Sequence, residues 1–146
     1  MKRVLSLVLA LVLTLTLAAC GDSSAKWQEQ YDLGQKYLTE GNYEEAILAF
    51  TAAIKIDPKQ PLAYVGRGDA YLGTAELAED GAAAWESAVA DYLAAIDLDG
   101  SQADAYYGAA EAYLALGDLD AAKDILDRGR AATGDDGMRE WAESLW

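Results

Sequence analysis

Laying YEEAILAFTAAIKIDP, from Tyr43 to Pro58, over WESAVADYLAAIDLDG, from Trp85 to Gly100, pairs like with like at one constant offset. Ala46 meets Ala88, Phe50 meets Tyr92, Ala53 meets Ala95, Ile54 meets Ile96 and Asp57 meets Asp99. A third copy, LDAAKDILDRGRAATG from Leu119 to Gly134, follows at a shorter offset and puts Ala122 and Leu126 at the positions of Ala88 and Tyr92. Upstream of these segments Gly34 and Tyr37 return at that same shorter offset as Gly68 and Tyr71, then at the longer one as Ala110 and Tyr113. The shorter offset, about 34 residues, is the unit. The longer one carries eight extra between Tyr71 and Ala88. A period of roughly 20 to 50 residues means units that cannot bury their apolar faces alone and must stack on one another.

Each unit reads as two helices. No useful length alternates apolar and polar residues as a strand would, and the two prolines, Pro58 and Pro61, both stand in DPKQP between apolar-periodic segments. Proline there stops one helix and opens the next. Small Gly34, Gly68 and Ala110 let paired helices approach, and Tyr37, Phe50, Tyr71, Tyr92 and Tyr113 fill the space between layers. In DDGMREWAESLW, Met138, Trp141 and Leu145 fall on one face, which predicts a seventh helix capping the stack. The alanine- and glutamate-rich insertion, Gly73 to Glu86, is expected to lengthen both helices of the middle unit by about a turn.

These residues resemble the tetratricopeptide repeat, a helix–turn–helix unit with the pattern W-x2-L-G-x2-Y…A-x3-F…P. Unit one, 27–60, carries Leu33, Gly34, Tyr37, Ala46, Phe50 and Pro58, with Gln30 where the tryptophan would stand. Unit two, 61–102, carries Tyr64, Gly68, Tyr71, Ala88 and Tyr92, with Gly100 in place of the proline. Unit three, 103–134, carries Tyr106, Ala110, Tyr113, Ala122 and Leu126, and 135–146 forms the cap. The resemblance implies an all-α solenoid of three helix pairs whose first helices line a concave, peptide-holding face. The repeat register puts Tyr31 and Gln35, Val65 and Asp69, and Tyr107 and Glu111 at equivalent inward positions. Members that clamp the C-terminal carboxylate of chaperones use Lys, Asn and Arg there. The aromatic and acidic side chains here instead favour a cationic or neutral-apolar protein or peptide.

Ahead of the repeats, Val4 to Ala19 is an apolar run preceded by Lys2 and Arg3. A membrane-spanning helix needs about 20 residues, more than this run holds, and the flanks are those of a secretory signal peptide over 1–19. Its last residues, LAAC, resemble the lipobox of bacterial lipoproteins. That resemblance implies that Cys20, the one cysteine in the chain, is lipidated and becomes the first residue of the mature protein. Residues 20–26 then form a flexible tether, and the domain is expected on the extracytoplasmic face of a membrane, held there by its acyl chains. Without Lys2 and Arg3 the chain keeps 9 basic against 25 acidic side chains, a net charge of −16. Such a field opposes nucleic acid, whose phosphates need Lys and Arg, and gives no attraction to anionic lipid.

Chemistry is scarce. With no histidine in the chain, and with Cys20 committed to the anchor, Ser-His, Cys-His and most zinc arrangements are lost. The chain reads as a non-enzyme with no cofactor, no metal and no catalytic residue. DLDGSQAD, Asp97 to Asp104, departs from a calcium loop, with Gln102 at the glycine position and Gly108 at the glutamate position. RGD, Arg67 to Asp69, contains the packing glycine of unit two and reads as helix interior. GRGDAYLG lacks the lysine of a phosphate-binding loop. The expected role is an interaction module or assembly scaffold at the cell envelope; the alternative is a carbohydrate-binding or enzymatic lipoprotein using the same groove, and a third possibility is homotypic stacking.

Overall fold

The computed structural model describes residues 23–145, all of whose regular structure is helical. The expected signal peptide and Cys20 lie outside the described residues. Seven helices follow in order: α1 over 23–39, α2 Tyr43–Ile56, α3 Pro61–Leu77, α4 Ala82–Leu98, α5 Ala103–Ala115, α6 Leu119–Thr133 and α7 Asp136–Ser144. Neighbours in sequence pack as antiparallel pairs, and α3 also touches α5, the first helix of the next pair. Residues 23–26, expected in the tether, instead form the first turn of α1. Two serines favour a helix start and Ala25 and Lys26 propagate it, while burial of Trp27 one turn in holds that turn down.

The turns explain the unequal units. Gly41 and Gly117 adopt φ of 75° and 78°, the left-handed conformation that only glycine takes without strain. Around Gly41 the amide of Gly41 donates to Leu38 O at 3.1 Å and that of Asn42 to Tyr37 O at 2.9 Å; around Gly117 the amides of Gly117 and Asp118 donate to Leu114 O and Tyr113 O at 3.0 and 2.9 Å. These paired bonds end α1 and α5 in the same Schellman stop. The aligned residue of unit two is Ala75, inside α3, and with no glycine there the helix runs on. α3 has 17 residues against 13 for α5, and α4 has 17 against 14 for α2.

Packing repeats as faithfully as the turns. A methyl on Gly34 or Gly66 would stand 2.7 or 2.5 Å from the ring of Phe50, and one on Gly68 would stand 2.9 Å from that of Tyr92, which Gly108 also faces. Phe50 and Tyr92 are completely buried, each ring gripped between two glycines. In unit three the equivalent trio is Ala110, Leu126 and Ala142, all buried, so a smaller side chain goes with larger walls. Met138 is fully buried and Trp141 and Leu145 pack on the same cluster, which closes the C-terminal end.

The junctions are matched down to single hydrogen bonds. Asp57 accepts from the Lys59 amide at 3.0 Å and from Gln60 Nε2 at 2.9 Å. Asp99 accepts from the Ser101 amide and from Gln102 Nε2 at 3.0 and 2.6 Å. Tyr64 and Tyr106 donate to the carbonyls of Pro58 and Gly100. The residues resembling a calcium loop therefore form a repeat junction, with Asp99 engaged by its own loop.

Candidate functional site

α1, α3 and α5 supply the inward face. On α1, Tyr31 stacks on Trp27 with ring centroids 5.0 Å apart and planes 11° from parallel, and meets Phe50 edge-on at 5.8 Å. Its hydroxyl accepts from Gln35 Nε2 at 3.1 Å. One helical turn separates the two residues, so the pair is pre-ordered on a single face. Burial raises the Tyr31 phenol above its ordinary range and the charges of Asp32 and Asp69 add to that, while the Gln35 bond opposes it.

On α3, Val65 is half-buried and packs on the main core. Asp69, one turn further on, accepts a 2.6 Å hydrogen bond from the Tyr92 hydroxyl. Burial raises the Asp69 carboxyl, the Tyr92 bond counters it, and the charge of Asp104 raises it again. Tyr92 is driven far above the ordinary phenol range, first by burial and then by the charge and hydrogen bond of Asp69, with Glu111 and Asp91 contributing. These mutual shifts connect Tyr31, Asp69, Asp104, Tyr92 and Glu111 within one electrostatic neighbourhood.

Tyr107 and Glu111 part company on α5. Glu111 is exposed. Tyr107 turns to the cap: its hydroxyl donates to Asp135 Oδ2 at 3.0 Å and its ring stacks on Trp141 at 5.8 Å. It joins α5 to the cap. Two contributors escaped the sequence reading. Asp104 sits in the first turn of α5, three residues before Tyr107, and its acidity at an inward-helix start was the available signal. Tyr92 belongs to a second helix and was assigned to the core alone, yet its hydroxyl reaches the groove carboxylate.

The RGD segment is spent inside the fold. Arg67 donates from Nε and Nη2 to the two carboxylate oxygens of Asp91, both at 2.7 Å, and from Nη1 to Thr51 Oγ1 at 3.0 Å. Its guanidinium also lies 5.8 Å from the centre of the Tyr64 ring. Arg67 thus joins α2, α3 and α4, and Asp69 is held by Tyr92. Among the described residues no group of three or more His, Cys, Asp or Glu side chains could hold a metal ion, and no helix is long and apolar enough to cross a membrane.

Comparison with known proteins agrees with the helix pairs. Residues 34–74 match a family model described as TPR repeat, and 81–142 match one described as tetratricopeptide repeat. Among solved structures, the first TPR of Spaghetti (RPAP3) bound to the HSP90 peptide SRMEEVD is 26% identical, with a TM-score of 0.70 over 84% of this chain and 94% of that one. The second TPR domain of human RPAP3, in complex with the HSP70 peptide SGPTIEEVD, is 27% identical with a TM-score of 0.72, covering 84% and 97%. TTC0263, a TPR protein from Thermus thermophilus, shares the fold at 22% identity and a TM-score of 0.71, covering 91% and 70%. The glycine-stopped helix pairs, the aromatic knobs between small residues and these matches have one account: the chain belongs to the tetratricopeptide repeat family.

Proposed function

We propose that this domain is a peptide-binding interaction module whose partner is cationic or neutral-apolar, and that a lipid on Cys20 holds it at the extracytoplasmic face of a membrane as a scaffold of the cell envelope. The observation that carries the binding half is the sign of the groove. The relatives' peptides, SRMEEVD and SGPTIEEVD, end in an acidic run. Here Asp69 and Glu111 stand on the inward face with Asp104 close enough to raise the Asp69 carboxyl, so an acidic tail would meet carboxylates. A lysine or arginine side chain would be attracted to the same place, and the half-buried Tyr31 ring, backed by Trp27, offers an aromatic contact beside it.

The test is a titration of the full-length protein in detergent with two fluorescent peptides, one ending in EEVD and one with lysines in place of its acidic residues. The lysine peptide is expected to bind more tightly, with an affinity that falls as salt rises, and Glu111→Lys is expected to weaken it. Preference for the EEVD peptide, or indifference of both peptides to Glu111→Lys and Tyr31→Ala, would overturn the groove assignment.

A further inference from the structure

The absent glycine of unit two has a consequence on the outer edge of the solenoid. Because α3 continues through Ala75 to Leu77, its last turn runs past the α1–α2 turn and leaves an open cleft of about 410 Å³ between them. Asn42, Tyr43 and Glu45 form one wall and Thr74, Leu77 and Ala78 the other. The cleft is held open from below: Tyr43 lies flat against Gly73, where even a methyl would collide with the ring. Leu77, at 77% exposure, is the most exposed large apolar side chain described.

Its surroundings say what would cover it. Glu44 and Glu45 line the cleft and are both exposed, and among the described residues neither has a hydrogen-bond or ion-pair partner. An acidic ligand would be repelled here, and a purely apolar one would leave the two carboxylates unanswered. We infer that the cleft is a second docking surface, separate from the groove, that takes an aliphatic or aromatic side chain carried on a cationic peptide segment. The apolar side chain covers Leu77 and Tyr43, and flanking Lys or Arg residues pair with the glutamates. The wall of Thr74, Leu77 and Ala78 comes from the insertion, so the site belongs to this chain's departure from the repeat rather than to the repeat itself.

The probe is a fluorescein-labelled Lys-Lys-Leu-Phe-Lys-Lys peptide, followed by anisotropy against the full-length protein in detergent. Two cleft variants are compared, Leu77→Ser and the pair Glu44→Lys with Glu45→Lys; all three positions are solvent-exposed, and circular dichroism checks that each variant stays helical. Each is expected to weaken binding roughly tenfold, the scale of one buried leucine or of two reversed charges. Leu62→Ser, at an exposed leucine in the first turn of α3 and outside both sites, should leave it within about twofold. Replacing Leu-Phe by Ser-Ser in the peptide should cost a similar tenfold. Binding that survives both cleft variants, that is lost only with Tyr31→Ala, or that is equally tight when the lysines are exchanged for glutamates would overturn the proposal.

Discussion

Gly66→Ala is expected to destabilise the protein, against the ordinary sign of that change within a helix. Alanine in a helix interior usually gains roughly 0.5–1 kcal/mol over glycine. At this position the new methyl would stand 2.5 Å from Phe50 Cζ and 2.6 Å from Cε1, about 1 Å inside normal carbon–carbon contact. The ring has nowhere to go. It is completely buried, Gly34 already presses Cε1 and Cζ with room for no methyl, and Tyr31 closes a further side. Overpacking of this kind costs about 1–3 kcal/mol, which leaves a net loss of roughly 0.5–2 kcal/mol after the helix gain. In urea denaturation the midpoint should fall by about 0.3–1 M while the slope stays constant. Phe50→Leu, which copies the smaller knob of unit three, should remove the clash, so the double variant should be more stable than the sum of the singles by at least about 0.5 kcal/mol. A Gly66→Ala protein more stable than the parent, or strict additivity with Phe50→Leu, would refute the idea that glycine walls are sized to the aromatic knob.

Asp91→Ala should cost about 2–4 kcal/mol in the same denaturation, because it leaves Arg67, whose side chain is 20% exposed, without its counter-charge. The pair Arg67→Leu with Asp91→Ala, which installs the Leu33 and Ala49 of unit one, should recover most of that loss; no recovery would mean the ion pair is not what Asp91 contributes. The folded-state phenol of Tyr92 is raised above its unfolded value, so its contribution is intact below about pH 10 and disappears as pH rises beyond that. Each proton so linked steepens the alkaline loss of stability by up to about 1.4 kcal/mol per pH unit. Tyr92→Phe should therefore flatten stability measured from about pH 9.5 to 11.5, at a cost near neutrality of about 1–3 kcal/mol for leaving half-buried Asp69 without its donor; an unchanged alkaline slope would contradict the assignment. Cys20→Ala should shift the protein from the membrane fraction to soluble or precursor material on cell fractionation, and undiminished membrane retention would argue against lipid anchoring.

Everything set by the repeat was legible in the sequence, because a period constrains many residues at once. The recurrence of Gly34 as Gly68, and of Phe50 as Tyr92, specified which small residue faces which large one. The same comparison also held the turns, since Gly41 and Gly117 align with Ala75, and from that one substitution the overrun of α3 follows. What the register hid were residues acting across it. Tyr92 fills the core like Phe50, but its added hydroxyl reaches Asp69 on another helix. Tyr107 occupies an inward position, yet α7 lies outside the period and captures it through Asp135 and Trp141. Residues 23–26 read as tether because they carry no periodic apolar residue, although a helix needs none in a first turn anchored by Trp27.

The Arg67–Asp91 pair shows how such departures bear on function. At the equivalent positions units one and three carry Leu33 with Ala49 and Ala109 with Ile125, apolar pairs that serve the stack without charge. Substituting one ion pair there gains little stability, since burying two charges roughly cancels their attraction, but it fixes Arg67 in one direction against α4 within unit two. The bidentate fork accepts a single geometry, and Thr51 fixes it to α2. A stack joined only by alanine and leucine could slide by fractions of an ångström with little penalty. The groove needs its aromatic and acidic halves in register, and an arginine aimed by Asp91 of its own unit and bonded to Thr51 of unit one meets that need.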